Sequence, residues 1–136
     1  SFEQRVTAGR KEALHAVNPA LDAAGARMVI PLNVSAPFHS RYMRDAQREF
    51  DQFLQGFEFK APAIPVISNV RARPYEGDMV RGTLAEQIGN SVRWLDSMLY
   101  LAEQPDPAFE EVGPGQVLTK LLKQIQKRAK GTGQRA

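Results

Sequence analysis

The 136-residue sequence contains no cysteine and only two histidines. The first absence excludes disulfides, thiolate zinc sites and a cysteine nucleophile, which leaves serine, threonine or a carboxylate for covalent chemistry, and the second argues against a histidine-built metal site. No apolar run approaches the roughly 18 residues that a membrane-spanning helix needs, and the first residues do not read as a signal peptide, so the expectation is a cytoplasmic protein with no membrane partner. No acidic residue follows Glu111 and no aromatic follows Phe109. The net charge of +3 therefore comes largely from Lys120, Lys123, Lys127, Arg128, Lys130 and Arg135. Residues 129–136 read as a basic tail, either the frayed end of a solvated helix or a contact for an acidic or phosphate-bearing partner. A surface for bases would interleave aromatics with those cations, so nucleic acid is not expected.

What remains is ordinary globular composition, enough for one core. Residues 5–9 read as a strand end and 10–17 as a helix with Ala13, Leu14 and Val17 on one side. Asn18-Pro19 suggests a cap and first-turn proline of a second short helix, stopped by Gly25 at its C′ position. A strand is expected over 28–34. Ser40 caps a long helix to about Gln55, with Met43, Phe50, Phe53, Leu54 and Phe57 near the 3.6 period and Arg41, Arg44, Arg48 and Asp51 mostly on other faces. Residues 66–70 read as a strand buried on both faces, followed by a turn-rich loop over 73–78. Thr83 opens a helix over 84–88, another runs over 92–101, and 109–112 is a short strand. Gly113-Pro114-Gly115 is a turn, without the lysine or glycine spacing of a phosphate loop, before a last helix over 116–128. Strands alternating with helices imply an α/β fold.

The segment Asn33-Val34-Ser35-Ala36-Pro37-Phe38-His39-Ser40 places a histidine between a strand end and a helix start. At a helix N-terminus the macrodipole disfavours imidazolium, and a general base needs an unprotonated ring. His39 is thus the candidate base, whereas His15 lies mid-helix without a flanking motif. Glu110-Glu111 do not make an acid–base pair, because neighbours on a strand point to opposite faces. Asn69, at the C-terminal end of the strand over 66–70, is a candidate substrate-site residue, since open α/β sheets bind ligands at those ends.

Val34-Ser35-Ala36-Pro37-Phe38-His39-Ser40 closely resembles the histidine motif of malonyl-CoA:acyl-carrier-protein transacylases and polyketide synthase acyltransferase domains. Further segments match in the same order: Gln4-Arg5-Val6-Thr7-Ala8-Gly9, Ile64-Pro65-Val66-Ile67-Ser68-Asn69-Val70, Gln87 with Val92-Arg93-Trp94, and Phe109-Glu110-Glu111-Val112-Gly113-Pro114-Gly115-Gln116-Val117-Leu118-Thr119. The resemblance implies the C-terminal part of the acyltransferase fold. Residues 1–35 would belong to a ferredoxin-like small subdomain and 36–128 to an α/β-hydrolase-like large subdomain carrying the histidine.

It further implies a ping-pong transfer of malonyl from malonyl-CoA, through an acyl-serine, to the phosphopantetheine thiol of an acyl carrier protein in fatty acid or polyketide biosynthesis, with no bound cofactor. His39 matches the base and Gln87 the position whose carbonyl oxygen orients it. Phe38 matches the malonyl-selecting form of the motif. The Gly-His-Ser-x-Gly elbow that would carry the nucleophile does not occur in this sequence, nor do the family's upstream oxyanion-hole glutamine and malonyl-binding arginine. The expectation is a fragment that needs an N-terminal half, inactive alone. Two alternatives remain: an acyl-carrier-protein hydrolase of the same fold, and a non-catalytic module that binds the carrier through the basic tail.

Overall fold

The computed structural model describes residues 2–132, so Arg135 and the rest of 133–136 lie outside the described residues. Five α-helices follow one another: α1 (Lys11–Ala23), α2 (Arg44–Leu54), α3 (Val80–Gly89), α4 (Trp94–Ala102) and α5 (Val117–Thr132). Single 3₁₀ turns at Arg41–Met43 and Gly77–Met79 lead into α2 and α3.

The expected pair of N-terminal helices is one helix, because α1 passes through Pro19. A proline in a helix interior removes one hydrogen bond and crowds the preceding turn; here the remaining bonds carry the helix on to Ala23. Its end is the expected one. Gly25 has φ +87°, its N–H donates to the Asp22 carbonyl and that of Ala26 to the Leu21 carbonyl. This is the paired pattern of a Schellman stop, with Gly25 at C′.

Among the described residues there is no strand, contrary to the expectation at 5–9, 28–34, 66–70 and 109–112. A strand is completed by a neighbour that takes up its backbone groups; 5–9, 28–34 and 109–112 have none here, and 66–70 has only a short pairing with 73–75. Residues 28–34 form no regular element and are uncovered, with Met28 73%, Ile30 61%, Leu32 59% and Val34 65% exposed. Nor is 66–70 buried on both faces: Val66 is half exposed, and a single antiparallel bridge joins Ile67 to Pro74. The chain between them is a tight turn. The Ser68 hydroxyl accepts from the N–H groups of Val70 and Arg71 at 3.2 Å, and the Ala72 N–H donates to the Ser68 carbonyl at 2.8 Å.

α2 packs along α3, and α4 meets α5. The core is small and spread over these elements: Leu54 from α2, Val80 and Ala85 from α3, Met98 from α4, Ile125 from α5, and Ala72 from the turn. α3 begins three residues before the position expected, so Thr83 is a buried residue within it rather than its cap. α5 likewise continues four residues past Arg128 into the stretch read as a tail. Two ion pairs brace α3: Arg81 to Asp51 on α2 at 2.9 Å, and Arg71, in the turn, to both oxygens of Glu86 at 2.8 and 2.9 Å. Both are partly exposed and contribute at most about 1 kcal/mol each, so their effect is to fix direction. The first ties the start of α3 to the last turns of α2, and the His39 contacts join the other end of α3 to the entrance of α2.

Candidate active site

His39 stands where those two helices meet. Ser40 caps the 3₁₀ turn at Arg41–Met43 rather than α2 itself, which begins at Arg44 without a side-chain cap: its Oγ accepts from the Tyr42 N–H at 3.3 Å and donates to the Pro37 carbonyl at 2.6 Å. The second bond folds Pro37, Phe38 and His39 into a loop held across its base. Within that loop His39 has φ +62°, a left-handed conformation that histidine enters more readily than most side chains but that still strains the backbone.

Two hydrogen bonds hold it there, and both go to the end of α3. The His39 backbone N–H donates to the Ile88 carbonyl at 3.0 Å, and ring Nδ1 lies 2.8 Å from the Gln87 carbonyl. Helix ends leave their last carbonyls without intrahelical partners; here two consecutive ones are taken by one residue. A carbonyl can only accept, so the proton of a neutral ring sits on Nδ1 and the Nε2 lone pair is left free.

The sequence brings His39 and Gln87 to one site, 48 positions apart, and the contact uses the main chain of Gln87 rather than its side chain. The electrostatic setting differs from the expectation. The ring faces the α3 C-terminus as well as the α2 start, and the two helix ends act on a cation in opposite senses.

Phe38 adjoins His39 and is 54% exposed, so its ring borders the site without being packed into the core. Asn69 is placed differently. It is an exposed turn residue, not the end of a buried strand, and its carbonyl accepts from the Arg93 N–H at 2.7 Å just ahead of α4. Among the described residues no hydrogen bond joins Asn69 to Phe38, His39 or Gln87. Glu111 does structural work: its carboxylate accepts from the Leu118 and Thr119 N–H groups and the Thr119 hydroxyl at the start of α5. The Thr119 hydroxyl and amide, with smaller help from neighbouring amides, hold its carboxyl below the usual glutamate range.

The helical period places Arg41, Arg44 and Arg48 mostly away from the apolar face and assigns them no role. Together with Gln47, Gly89 and Asn90 they line a cleft of about 330 Å³ beside the histidine loop. Their i, i+3, i+7 spacing was the available signal, since it puts three cations on one face. The Arg41 guanidinium donates to the Tyr42 hydroxyl at 3.4 Å, and this bond, then its charge, then that of Arg10 hold the Tyr42 phenol below its ordinary value.

No protein-family model matches the chain. Individual proteins do. The polyketide biosynthesis malonyl CoA-acyl carrier protein transacylase BaeC of Bacillus velezensis is 52% identical over 126 residues, which cover 92% of this chain and 44% of the relative. The malonyl CoA-acyl carrier protein transacylase of Escherichia coli K12 is 42% identical over 123 residues, 90% of this chain and 40% of its own length. A solved malonyl-transacylase in complex with its type II polyketide synthase acyl-carrier protein superposes with TM-score 0.82 at 38% identity, covering 88% of this chain and 39% of that one.

The chain is homologous to part of the malonyl-CoA:acyl-carrier-protein transacylases. It spans less than half the length of these relatives. Its fold is the corresponding part of the α/β acyltransferase fold, the helix-rich share of it among the described residues. The Ser40 loop and the α3 terminus are thus elements of a transacylase homologue, in agreement with the resemblance carried by the histidine motif.

Proposed function

We propose that this chain is the C-terminal, histidine-bearing part of an enzyme that moves a malonyl group from malonyl-CoA to an acyl carrier protein, with His39 as its general base. The observation that carries the proposal is the 2.8 Å bond from Nδ1 to the Gln87 carbonyl, because it fixes the tautomer a base requires. The serine comes from a segment outside this sequence, which has no Gly-His-Ser-x-Gly, so the chain alone is inactive. That segment also covers the apolar stretch at 28–34, in keeping with its exposure.

In the first half-reaction Nε2 takes the serine proton as Oγ bonds to the malonyl carbonyl carbon. It then returns the proton to the coenzyme A sulfur as the carbon–sulfur bond breaks. In the second half the phosphopantetheine thiol of the carrier gives its proton to Nε2 and attacks the acyl-serine, and the serine recovers that proton on leaving. Each imidazolium formed is oriented by a neutral carbonyl, which stabilises it less than a carboxylate would. Phe38, at the mouth of the loop, selects malonyl over bulkier acyl groups. Asn69 belongs to the support of α4 and is proposed to act on the site only through it.

The test is acyl transfer by the full-length protein with radiolabelled malonyl-CoA and holo carrier. His39→Ala should abolish transfer while carrier binding persists. Undiminished transfer rejects the base assignment, and malonate release without transfer to the carrier points to a hydrolase of the same fold.

A further inference from the structure

Beside the histidine loop, the arginine cleft is built from the same two elements as the His39–Gln87 contact. Arg41 follows His39 by two residues and Gly89 follows Gln87 by two, so the cleft continues from the site along α2. Gly89 leaves room for the Gln47 side chain, whose oxygen a Cβ there would overlap. Asn90 is turned back to the Glu86 carbonyl at 2.7 Å and closes the far side.

The charges in the cleft are unevenly used. Arg48 is paired with Asp45 at 2.6 Å. Arg41 and Arg44 form no ion pair among the described residues, and neither does Arg10, whose charge reaches Tyr42. Arg41, which also lies over the Tyr42 ring, and Arg44 stand at i and i+3 with no acidic partner, which leaves a positive patch that an anion would complement. A guanidinium presents a planar fork of donors that matches the oxygens of a phosphate, and Lys is not equivalent there.

Both thioesters of the proposed reaction carry such a phosphate at the far end of a pantetheine arm from the sulfur. The chain leads away from His39 through the 3₁₀ turn that carries Arg41 and into α2, whose first residue is Arg44. We propose that Arg41 and Arg44 form the binding site for the phosphate of the pantetheine arm, while the sulfur at the other end meets His39. This rests on the acyl-transfer reading above and adds to it the residues that hold the substrate's anionic end.

The experiment uses the full-length protein. Coenzyme A is titrated calorimetrically into the wild type and into Arg41→Ala and Arg44→Ala, and transfer is then measured with malonyl-CoA, with phosphate-free malonyl-pantetheine and with holo carrier. Each alanine variant should weaken coenzyme A binding about tenfold, the loss expected for one charge-assisted hydrogen bond. Arg44→Lys should weaken it less, and added salt should narrow the differences. The expected kinetic signature is a raised KM with kcat unchanged for the phosphorylated substrates and no change with malonyl-pantetheine. A rise confined to malonyl-CoA assigns the site to the coenzyme, and one confined to the holo carrier assigns it to the carrier's phosphodiester; both support the site. Unchanged affinity and KM with every phosphorylated substrate, or an equal loss with malonyl-pantetheine, overturns it. If the protein transfers no acyl group, the titration still decides the phosphate site; if it transfers normally while Arg41→Ala and Arg44→Ala are silent, the transfer reading stands and the site falls.

Discussion

Residues 28–34 and 36–43 adjoin in sequence and differ in what fixes their conformation. The first segment is apolar, irregular and uncovered, with no backbone partner among the described residues. The second is bound at nearly every step: Ser40 to Pro37 and Tyr42, His39 to Ile88 and Gln87, and Met43 to the Ser40 carbonyl. Hydrogen bonds between near neighbours and to one helix end need little else in place. Burial of a strand needs a second surface. The contrast separates a site element organised by this chain from a sheet element that depends on contacts beyond it.

The largest effect should come from the well-bound segment. His39→Ala in the full-length protein should lower kcat for malonyl transfer by about 10²–10⁴-fold, the usual contribution of a positioned base, as read by radiolabel transfer to the carrier. Next is the uncovered segment, where Ile30→Ala in the full-length protein should cost about 2–4 kcal/mol in urea denaturation if the rest of the fold buries it. A loss under about 0.5 kcal/mol, typical of a surface site, would erase the contrast and leave 28–34 exposed in the whole protein too.

Smaller effects sharpen the same comparison. Ser40→Ala should remove about 1 kcal/mol through the lost cap, measured by the same denaturation, and should reduce kcat by loosening the loop that carries His39. Gln87→Ala should change kcat by only about threefold, because the carbonyl that holds Nδ1 survives the substitution; this equals well under 1 kcal/mol. A loss as large as that of His39→Ala would mean that the side chain takes part.

The smallest effect concerns Glu111. Its carboxyl is held below the usual range in the folded state, so its contribution is present above the ordinary glutamate pKa and is lost as pH falls through the depressed one. Glu111→Gln should lower Tm near neutrality and flatten its decline in acid, as followed by scanning calorimetry against pH.

Local chemistry explains which parts were legible in the sequence. Gly25 stops α1 as expected because a left-handed C′ residue is a local requirement, and Ser40 caps the 3₁₀ turn ahead of α2 because the bond spans two residues. The site pair of His39 and Gln87 was legible only through the resemblance of the surrounding motifs, since nothing in periodicity links residues 48 apart. The strands at 28–34 and 66–70 were misread because apolar β-branched runs register a tendency to extend, whereas a strand forms only with a partner. Asn69 was misplaced with the second of them. The arginine cleft was not legible because the helical period separates faces and gives no sign that Gly89 will bring another helix end beside Arg41, Arg44 and Arg48.

The sequence by itself determined most of the helical segments, the stop at Gly25, the Ser40 cap and the presence of a histidine at a helix entrance, all set by interactions within a few residues. Only the tertiary structure decided that the Gln87 main chain, and not its amide, holds the ring, and that three arginines share a cleft with Gly89. Those contacts depend on how α2 and α3 pack. That packing joins residues far apart in the chain, which no local preference specifies.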